Sequence, residues 1–249
     1  MAAIHLVGLA FAYSSAVEVF TDVSVHLGRG WTGVVGANGA GKSTLLSLVA
    51  GEVSPTAGSV TLDPRSARVA LCRQEVDSVT PEIEALAEST DGLSRKWLGK
   101  LALDPGDQQR WKTLSPGERK RFQLAAALAS DPGNLLLDEP PNHLDSGAQE
   151  LVEGALTLYD GVGLIISHDR ALLNRLTTRT LRVRAGTLRL WSAPYSVAAS
   201  AWTAEEASRL EKHAAARRRE KSLKRRLADE RRTAEKRTAS FRRQTRKAD

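Results

Sequence analysis

The segment GANGAGKS, residues 36–43, carries the residue types that bind phosphate. Its spacing matches the pattern G-x-x-x-x-G-K-[ST], in which glycines let backbone N–H groups surround an anion. In such a loop Lys42 reaches the terminal phosphates of a nucleotide, and the Ser43 hydroxyl binds Mg²⁺. The apolar run 30–36 predicts a strand, and the run 42–51 predicts a helix whose N-terminus favours the same anion. We therefore predict a Mg²⁺–nucleotide site at this loop.

Two acidic residues end another apolar run, LLLDEP, residues 135–140. Asp138 is a candidate ligand of Mg²⁺, directly or through water. Glu139 is a candidate general base, or the group that orients the attacking water. Adjacent strand residues face opposite ways unless the strand ends there, and Pro140 favours such an ending. Alone, the pair is equally compatible with an ordinary polar strand-to-loop ending.

The segment LSPGER, residues 114–119, predicts the start of a helix. Ser115 is a good N-cap, Pro116 suits the first helical position, and Glu118 completes a capping box. The functional alternative is that the Ser115 hydroxyl and the Gly117 amide face a phosphate at the same helix end. These residues alone leave both interpretations open.

Three single residues gain meaning only from their order along the chain. By itself, Tyr13 is typical of a half-buried strand aromatic. Gln74 is typical of a surface glutamine, and His168 is typical of a structural histidine. The chain, however, presents Tyr13, the phosphate loop, Gln74, SPGE, LLLDEP, NHLD and SHD in that order within 170 residues. In this order it resembles ATP-binding cassette ATPases, and the resemblance runs from about residue 4 to 190.

The resemblance implies an α/β P-loop NTPase cassette with a parallel sheet core, an antiparallel β subdomain and a helical subdomain. In that family the aromatic at Tyr13 stacks on adenine, Gln74 senses Mg²⁺ and the attacking water, and His168 contacts the γ-phosphate. Ser115 and Gly117 serve the nucleotide of an opposite cassette, so each site is completed by a second cassette, in cis or in a homodimer.

The implied cofactors are ATP and Mg²⁺, and the implied sites fall into three sets. The catalytic residues are Gln74, Glu139 and His168. The nucleotide-binding residues are Tyr13, Gly36, Asn38, Gly39, Gly41, Lys42, Ser43, Thr44, Ser115, Gly117 and Asp138. The metal-binding residues are Ser43, Gln74 and Asp138.

The segment PPNHLD, residues 140–145, resembles the P-T-N-H-L-D of the ABC-F subfamily. These are soluble cassette proteins that act on ribosomes, as translation factors or in antibiotic resistance. Pro141 departs from the usual Thr, and Pro116 stands where most cassettes have Gly, so it cannot donate a backbone N–H. One alternative is the nucleotide-binding subunit of an ABC transporter with a separate membrane permease; another is an inactive half-cassette.

The positive charge of the chain is concentrated near its end. The formal net charge is +7, yet residues 203–249 hold 17 Lys and Arg against 8 Asp and Glu, and the stretch 216–226 is ARRREKSLKRR. The absence of Gly and Pro after Tyr195 favours helix. We predict a cassette domain over 1–197 and a long basic helix over 198–249.

ABC-F proteins have a charged helical linker between two cassettes, and it contacts tRNA or rRNA on the ribosome. The resemblance therefore implies that this tail binds RNA phosphates, whereas a solvated helix or a disordered tail is the plain alternative. From Thr203 onwards Phe241 is the only Phe, Tyr or Trp, which argues against base-specific contacts. Since one phosphate loop occurs, we expect either the first half of a longer protein or a single-cassette relative.

Other features are compatible with a cytoplasmic protein. Cys72 is the only cysteine, which excludes an internal disulfide and fits a reducing compartment. No run of about 18 uncharged apolar residues predicts a membrane span. The apolar start lacks a basic segment, and Glu18 and Asp22 follow it, which argues against a signal peptide.

Overall fold

The computed structural model describes residues 2–14, 16–140 and 144–245, with side chains described up to Lys221 and at Lys224. It divides into two compact units, Met1–Ala198 and Ala199–Asp249. The strands are β1 (Ala3–Ser14), β2 (Val17–Gly28), β3 (Gly30–Val35), β4 (Ala57–Asp63), β5 (Val69–Cys72), β6 (Asn134–Asp138), β7 (Val162–Ile166), β8 (Arg179–Arg184) and β9 (Thr187–Trp191). The helices are α1 (Lys42–Val49), α2 (Pro81–Glu88), α3 (Gly92–Lys100), α4 (Pro116–Ala129), α5 (Ser146–Thr157), α6 (Arg170–Leu176) and α7 (Tyr195–Thr245), with a 3₁₀ segment over Pro105–Thr113.

The central sheet has six strands in the order β5-β6-β7-β3-β8-β9. All pairs from β5 to β8 are parallel, and β9 is antiparallel to β8. The strands β6 and β7 are continuous apolar runs because both faces of such a sheet are covered. Since parallel strands end at the same edge, the loops after β3, β5, β6 and β7 meet there. The predicted parallel core is confirmed.

A second, three-stranded antiparallel sheet has the order β2-β1-β4. Residues of β1 and β2 join α1 and the central strands in one buried apolar cluster, in which Leu9, Phe20 and Leu45 are among the most buried. The run LRVRAGTLRLW, residues 181–191, predicts a hairpin that turns at Ala185 and Gly186. The structure confirms it: Ala185 has φ +46° and Gly186 has φ +73°, which suits a two-residue turn between β8 and β9.

The Leu- and Ala-rich stretch 79–103 predicts helix from its sequence, and the structure divides it into α2 and α3. The break arises at Asp91, whose carboxylate accepts from the backbone N–H of Leu93 at 2.7 Å and of Ser94 at 2.9 Å. Asp91 therefore acts as the N-cap of a new helix. Together with α4, these helices form the predicted helical subdomain.

The last helix, α7, begins at Tyr195, three residues before the predicted boundary, and continues to Thr245. A helix of 51 residues is about 75 Å long at about 1.5 Å per residue. Glu220 and Lys224 stand four positions apart, a spacing that favours an ion pair on a helix, and Lys224 Nζ lies 2.6 Å from Glu220 Oε1. In the described part of the chain, no helix has the length and apolarity needed to cross a bilayer.

Candidate nucleotide-binding site

The loop between β3 and α1 is packed so tightly that two of its residues must be glycine. A Cβ atom on Gly36 would lie 2.5 Å from the carbonyl oxygen of Val183. A Cβ atom on Gly41 would lie 2.5 Å from Cγ1 of Val19, and Gly41 has φ +100°. Strand β8 on one side and β2 on the other thus fix the path of this loop, so both sheets shape it.

The same loop offers positive groups to an anion. Lys42 Nζ donates to the carbonyl oxygens of Gly36 at 3.1 Å and Ala37 at 3.0 Å, so the lysine spans the loop. Gly41 is the N-cap of α1 and makes no side-chain cap bond, which leaves the first-turn N–H groups without a partner inside the helix. Asn38 and Gly39 are exposed at the tip, and Gly39 has φ +74°. This donor set fits the phosphates of a nucleotide.

The first turn of α1 contributes two hydroxyl side chains with different surroundings. Ser43 is exposed at the phosphate loop, as a ligand of Mg²⁺ would be. Thr44 is buried, and its Oγ1 lies 3.0 Å from the hydroxyl of Tyr13. Tyr13 is 64% exposed, so the alternative of a half-buried strand aromatic is wrong. The antiparallel sheet therefore carries an exposed aromatic ring to the phosphate loop.

Three predicted catalytic side chains converge at the carboxyl edge of the central sheet. Gln74 Nε2 donates to Glu139 Oε2 at 3.4 Å, and His168 Nε2 lies 3.2 Å from Glu139 Oε1. Gln74 follows β5, Glu139 follows β6, and His168 follows β7, so neighbouring strands deliver them. The carboxylate is only 17% exposed, whereas the imidazole is 61% exposed.

The backbone at Glu139 explains how two consecutive acids can serve one site. Asp138 is the last residue of β6, and Glu139 has φ +51°, in the left-handed region. The N–H of Glu139 donates to the carbonyl oxygen of Ile166 at 2.9 Å, which anchors this turn to β7. Left-handed backbone in a residue other than glycine is uncommon and clusters at functional sites. The strand therefore ends in a turn that breaks the alternation of its side chains.

The predicted capping box at the start of α4 is confirmed. Glu118 N–H donates to Ser115 Oγ at 3.2 Å, and the Ser115 N–H and hydroxyl both donate to Glu118 Oε2 at 2.8 Å. The two bonds that Ser115 donates to the carboxylate lower the pKa of Glu118, the backbone bond most. Ser115 is exposed, whereas Gly117 is buried, so Ser115 is the more accessible of the two predicted phosphate contacts.

Three basic residues that follow this cap were not singled out by their sequence pattern. Arg119 donates to the carbonyl oxygens of Trp111 and Lys112, and Arg121 donates to that of Leu101 at 2.6 Å. Lys120, between them, is only 5% exposed. The signal that would have found it is its helical spacing from the buried Leu124 and Leu128, which places a lysine on the buried face of α4.

Part of the NHLD segment lies outside the described residues, namely Asn142 and His143, together with Pro141. The remaining acid, Asp145, caps α5 by accepting from the N–H of Ala148 at 2.8 Å. Asp169 of the SHD segment caps α6 in the same way and also accepts from Gln149 Nε2 at 3.0 Å. In the described part these two acids are thus helix caps.

The sequence matches the family model described as ABC transporter over residues 20–142. Curated relatives include the probable ATP-binding protein YheS of Haemophilus influenzae, 37% identical over 169 residues, which covers 64% of this chain and 26% of that protein. The tylosin resistance ATP-binding protein TlrC of Streptomyces fradiae is 39% identical (61% and 29% covered), and the energy-dependent translational throttle protein EttA of Escherichia coli K12 is 36% identical (64% and 31%). The matched region is thus less than a third of the length of these relatives.

Solved structures share the fold. The dimeric ATP-binding cassette MJ0796, in a post-hydrolysis state bound to ADP and Pi, matches with a TM-score of 0.64 and 19% identity over 76% of this chain and 97% of that one. A bacterial Atm1-family ABC exporter with ATP bound matches with a TM-score of 0.62 and 20% identity over 75% and 37%. Residues 20–142 therefore belong to a domain of the ABC transporter family, the fold is that of an ATP-binding cassette, and the relatives named above are ABC-F proteins.

Proposed function

We propose that this chain binds Mg·ATP at the loop 36–43 and hydrolyses it with the help of Glu139. The convergence of Gln74 and His168 on the carboxylate of Glu139, at the sheet edge where the phosphate loop also ends, supports this assignment most directly. In this chemistry the protein forms no covalent intermediate, so positioning and charge neutralisation dominate.

Each side chain then has one task. Lys42 would leave its carbonyl partners to neutralise the β- and γ-phosphates, and Ser43 and Asp138 would hold Mg²⁺, which when bound would offset the charge of the phosphates. Glu139 accepts the proton of the attacking water or orients that water. Gln74 would contact the same water and the metal, and His168 would contact the γ-phosphate.

The adenine base and the opposite face of the nucleotide complete the site. Tyr13 stacks on the base from its exposed position beside α1. Ser115, with the Gly117 amide behind it, faces the nucleotide of a second cassette, either in cis or in a second copy of this chain. Pro116 lacks an N–H, so the exposed Ser115 hydroxyl carries most of this contact.

We further propose an ABC-F type of action on the ribosome, in the cytoplasm, with the basic helix as the contact to rRNA or tRNA. Two relatives bear names that point to translation and to antibiotic resistance, EttA and TlrC. Residues 217–219 are three consecutive exposed arginines on α7. Helical arginines of this kind bind phosphates with an affinity that falls as salt rises.

The test is co-sedimentation of the protein with ribosomes, with ATP, using Glu139→Gln to keep ATP intact. We expect the variant to sediment with ribosomes more than the parent does. Replacing Arg217, Arg218 and Arg219 with Gln should weaken this binding and flatten its dependence on log salt by about 0.7–0.9 per lost phosphate contact.

A matched control replaces three exposed basic residues of the cassette, Arg65, Arg95 and Lys100, with Gln, which changes the net charge equally. Equal loss in both triple variants would mean a general charge effect and would refute the role of the tail. Sedimentation independent of ATP and of the tail would contradict the proposal, and absence of sedimentation with retained ATPase activity would favour the alternative of a transporter subunit.

A further inference from the structure

The ammonium group of Lys120 lies at a junction of three carbonyl oxygens from two separate loops. Its Nζ contacts the carbonyl oxygen of Arg73, and it lies 3.4 Å from that of Gln74 and 3.5 Å from that of Asp138. The side chain is 5% exposed. Burial lowers the pKa of Lys120, whereas the nearby Cys72, Asp138 and Glu139 raise it. The Lys120 nitrogen is therefore buried among backbone acceptors.

These carbonyls belong to the peptide groups that carry the hydrolytic side chains. The carbonyl of Asp138 lies in the peptide whose N–H, on Glu139, donates to Ile166. This peptide is therefore held on one side by β7 and on the other by Lys120. It leads into the left-handed backbone of Glu139, a conformation that persists only when its surroundings impose it.

Lys120 also connects this site with the start of α4. The helix begins at the Ser115 cap, and Lys120 follows five residues later on the same rigid helix. The neighbouring Arg119 donates to the backbone carbonyls of residues 111–112, and Arg121 donates to those of residues 101–102. These hydrogen bonds hold the helix against both segments. A shift of the Ser115 end along the helix axis would therefore move the ammonium against the carbonyls of Gln74 and Asp138.

We propose that Lys120 is a positioning residue that sets the placement of Gln74 and Glu139 and couples it to the position of helix α4. The inference rests on the proposed function, in which the Ser115 end of α4 meets the nucleotide of a second cassette. Pairing of two cassettes thereby adjusts the hydrolytic groups of each through its own Lys120. The residue does not touch ATP or Mg²⁺ itself.

The test compares Lys120→Met, which removes the ammonium, with Lys112→Met at an exposed lysine of the 3₁₀ segment. We expect Lys120→Met to lower kcat by about 10- to 100-fold, because small misplacements of reacting groups have effects of this size. Half-saturation by Mg²⁺ should move to higher concentration, while the Kd for ATP without Mg²⁺ stays within about twofold, since Lys42 is untouched. Lys112→Met should match the parent protein.

A second readout needs no nucleotide. Amide hydrogen exchange of the free protein should become faster at residues 73–75 and 138–139 in Lys120→Met, and remain unchanged in the β8–β9 hairpin. Unchanged kcat, Mg²⁺ dependence and exchange would overturn the inference. If the parent protein bound no Mg·ATP, the proposed function would fail, yet the exchange experiment would still decide whether Lys120 fixes these two loops.

If Lys120→Met does not fold, Lys120→Arg tests the proposed positioning role instead. Arginine keeps the charge but cannot place a single ammonium among three carbonyls. A folded Lys120→Arg protein with reduced kcat and a shifted Mg²⁺ requirement supports the proposal, and one with parental values overturns it. Loss of the fold in both variants would assign Lys120 a structural role alone and would also overturn it.

Discussion

Nε2 of His168 lies 3.2 Å from Oε1 of Glu139, although 29 positions separate the two residues in the sequence. The contact exists because β6 and β7 are adjacent parallel strands that end at the same edge. The two side chains therefore share a site that neither strand forms alone. If this carboxylate assists hydrolysis, its removal should affect turnover and not binding.

We expect Glu139→Gln to lower kcat for ATP hydrolysis by about 10²–10⁴-fold, the range typical of a lost general base. The amide keeps the size of the side chain and can still accept from Gln74, so ATP affinity should be retained. Steady-state hydrolysis and equilibrium binding of ATP measure the two effects. The control is Glu84→Gln, at an exposed position of α2. Parental kcat in Glu139→Gln would exclude the proposed role.

Gly41→Ala tests whether the phosphate loop depends on its packing against β2. The new Cβ would meet Val19 Cγ1 at 2.5 Å and Phe20 Cζ at 3.1 Å, at a residue with φ +100°. We expect a loss of about 1–3 kcal/mol in the free energy of unfolding, typical of forced backbone conformations, and weaker ATP binding. Chemical denaturation and ATP titration measure these. Gly99→Ala, where a Cβ meets nothing within 4 Å, should leave both unchanged or slightly raise stability.

Tyr13 allows its ring and its hydroxyl to be tested separately. Tyr13→Phe removes the bond to Thr44 but keeps the ring, so ATP affinity should change little. Tyr13→Ala should weaken ATP binding by about 1–3 kcal/mol, the range for stacking of a base on an aromatic side chain. Since stacking tolerates any base, Tyr13→Ala should weaken the binding of GTP by a similar free energy. Equal affinity of the Ala and Phe variants would argue against stacking.

Glu118 gives the capping box a defined pH dependence. Its pKa is lowered in the folded protein by the bonds from Ser115, so its contribution to stability is fully present above the unfolded pKa, about 4.3. That contribution is lost as the pH falls through the folded pKa. The difference in unfolding free energy between the parent and Glu118→Gln should therefore be largest near neutral pH and shrink on acidification.

Urea denaturation at pH 7 and near pH 4 measures this difference. Glu150→Gln, at an exposed position of α5, is the matched control and should show a smaller difference at pH 7. A difference between the parent and Glu118→Gln that grew towards low pH would contradict the direction of the pKa shift.

The local features of the site were predictable because each depends on a short stretch of chain. The capping box at Ser115 and Glu118 needs only four residues, and the phosphate loop with its flanking strand and helix needs about twenty. The predicted cassette fold and the family resemblance were confirmed for the same reason: the ordered motifs are all local patterns. The break between α2 and α3 at Asp91 was not predicted, because the Leu- and Ala-rich sequence on both sides favours helix and a single capping residue does not change that pattern.

The sequence by itself determined the identity and order of the residues that we propose for phosphate and Mg²⁺, and that the excess of positive charge lies in residues 203–249. Only the tertiary structure decided that Gln74 and His168 meet at Glu139, that Val19 presses on Gly41, and that a buried Lys120 joins two loops. These contacts join residues 18 or more positions apart, so no local pattern encodes them. They arise because parallel strands bring distant chain segments to one edge of the sheet, where close packing fixes the position of each side chain.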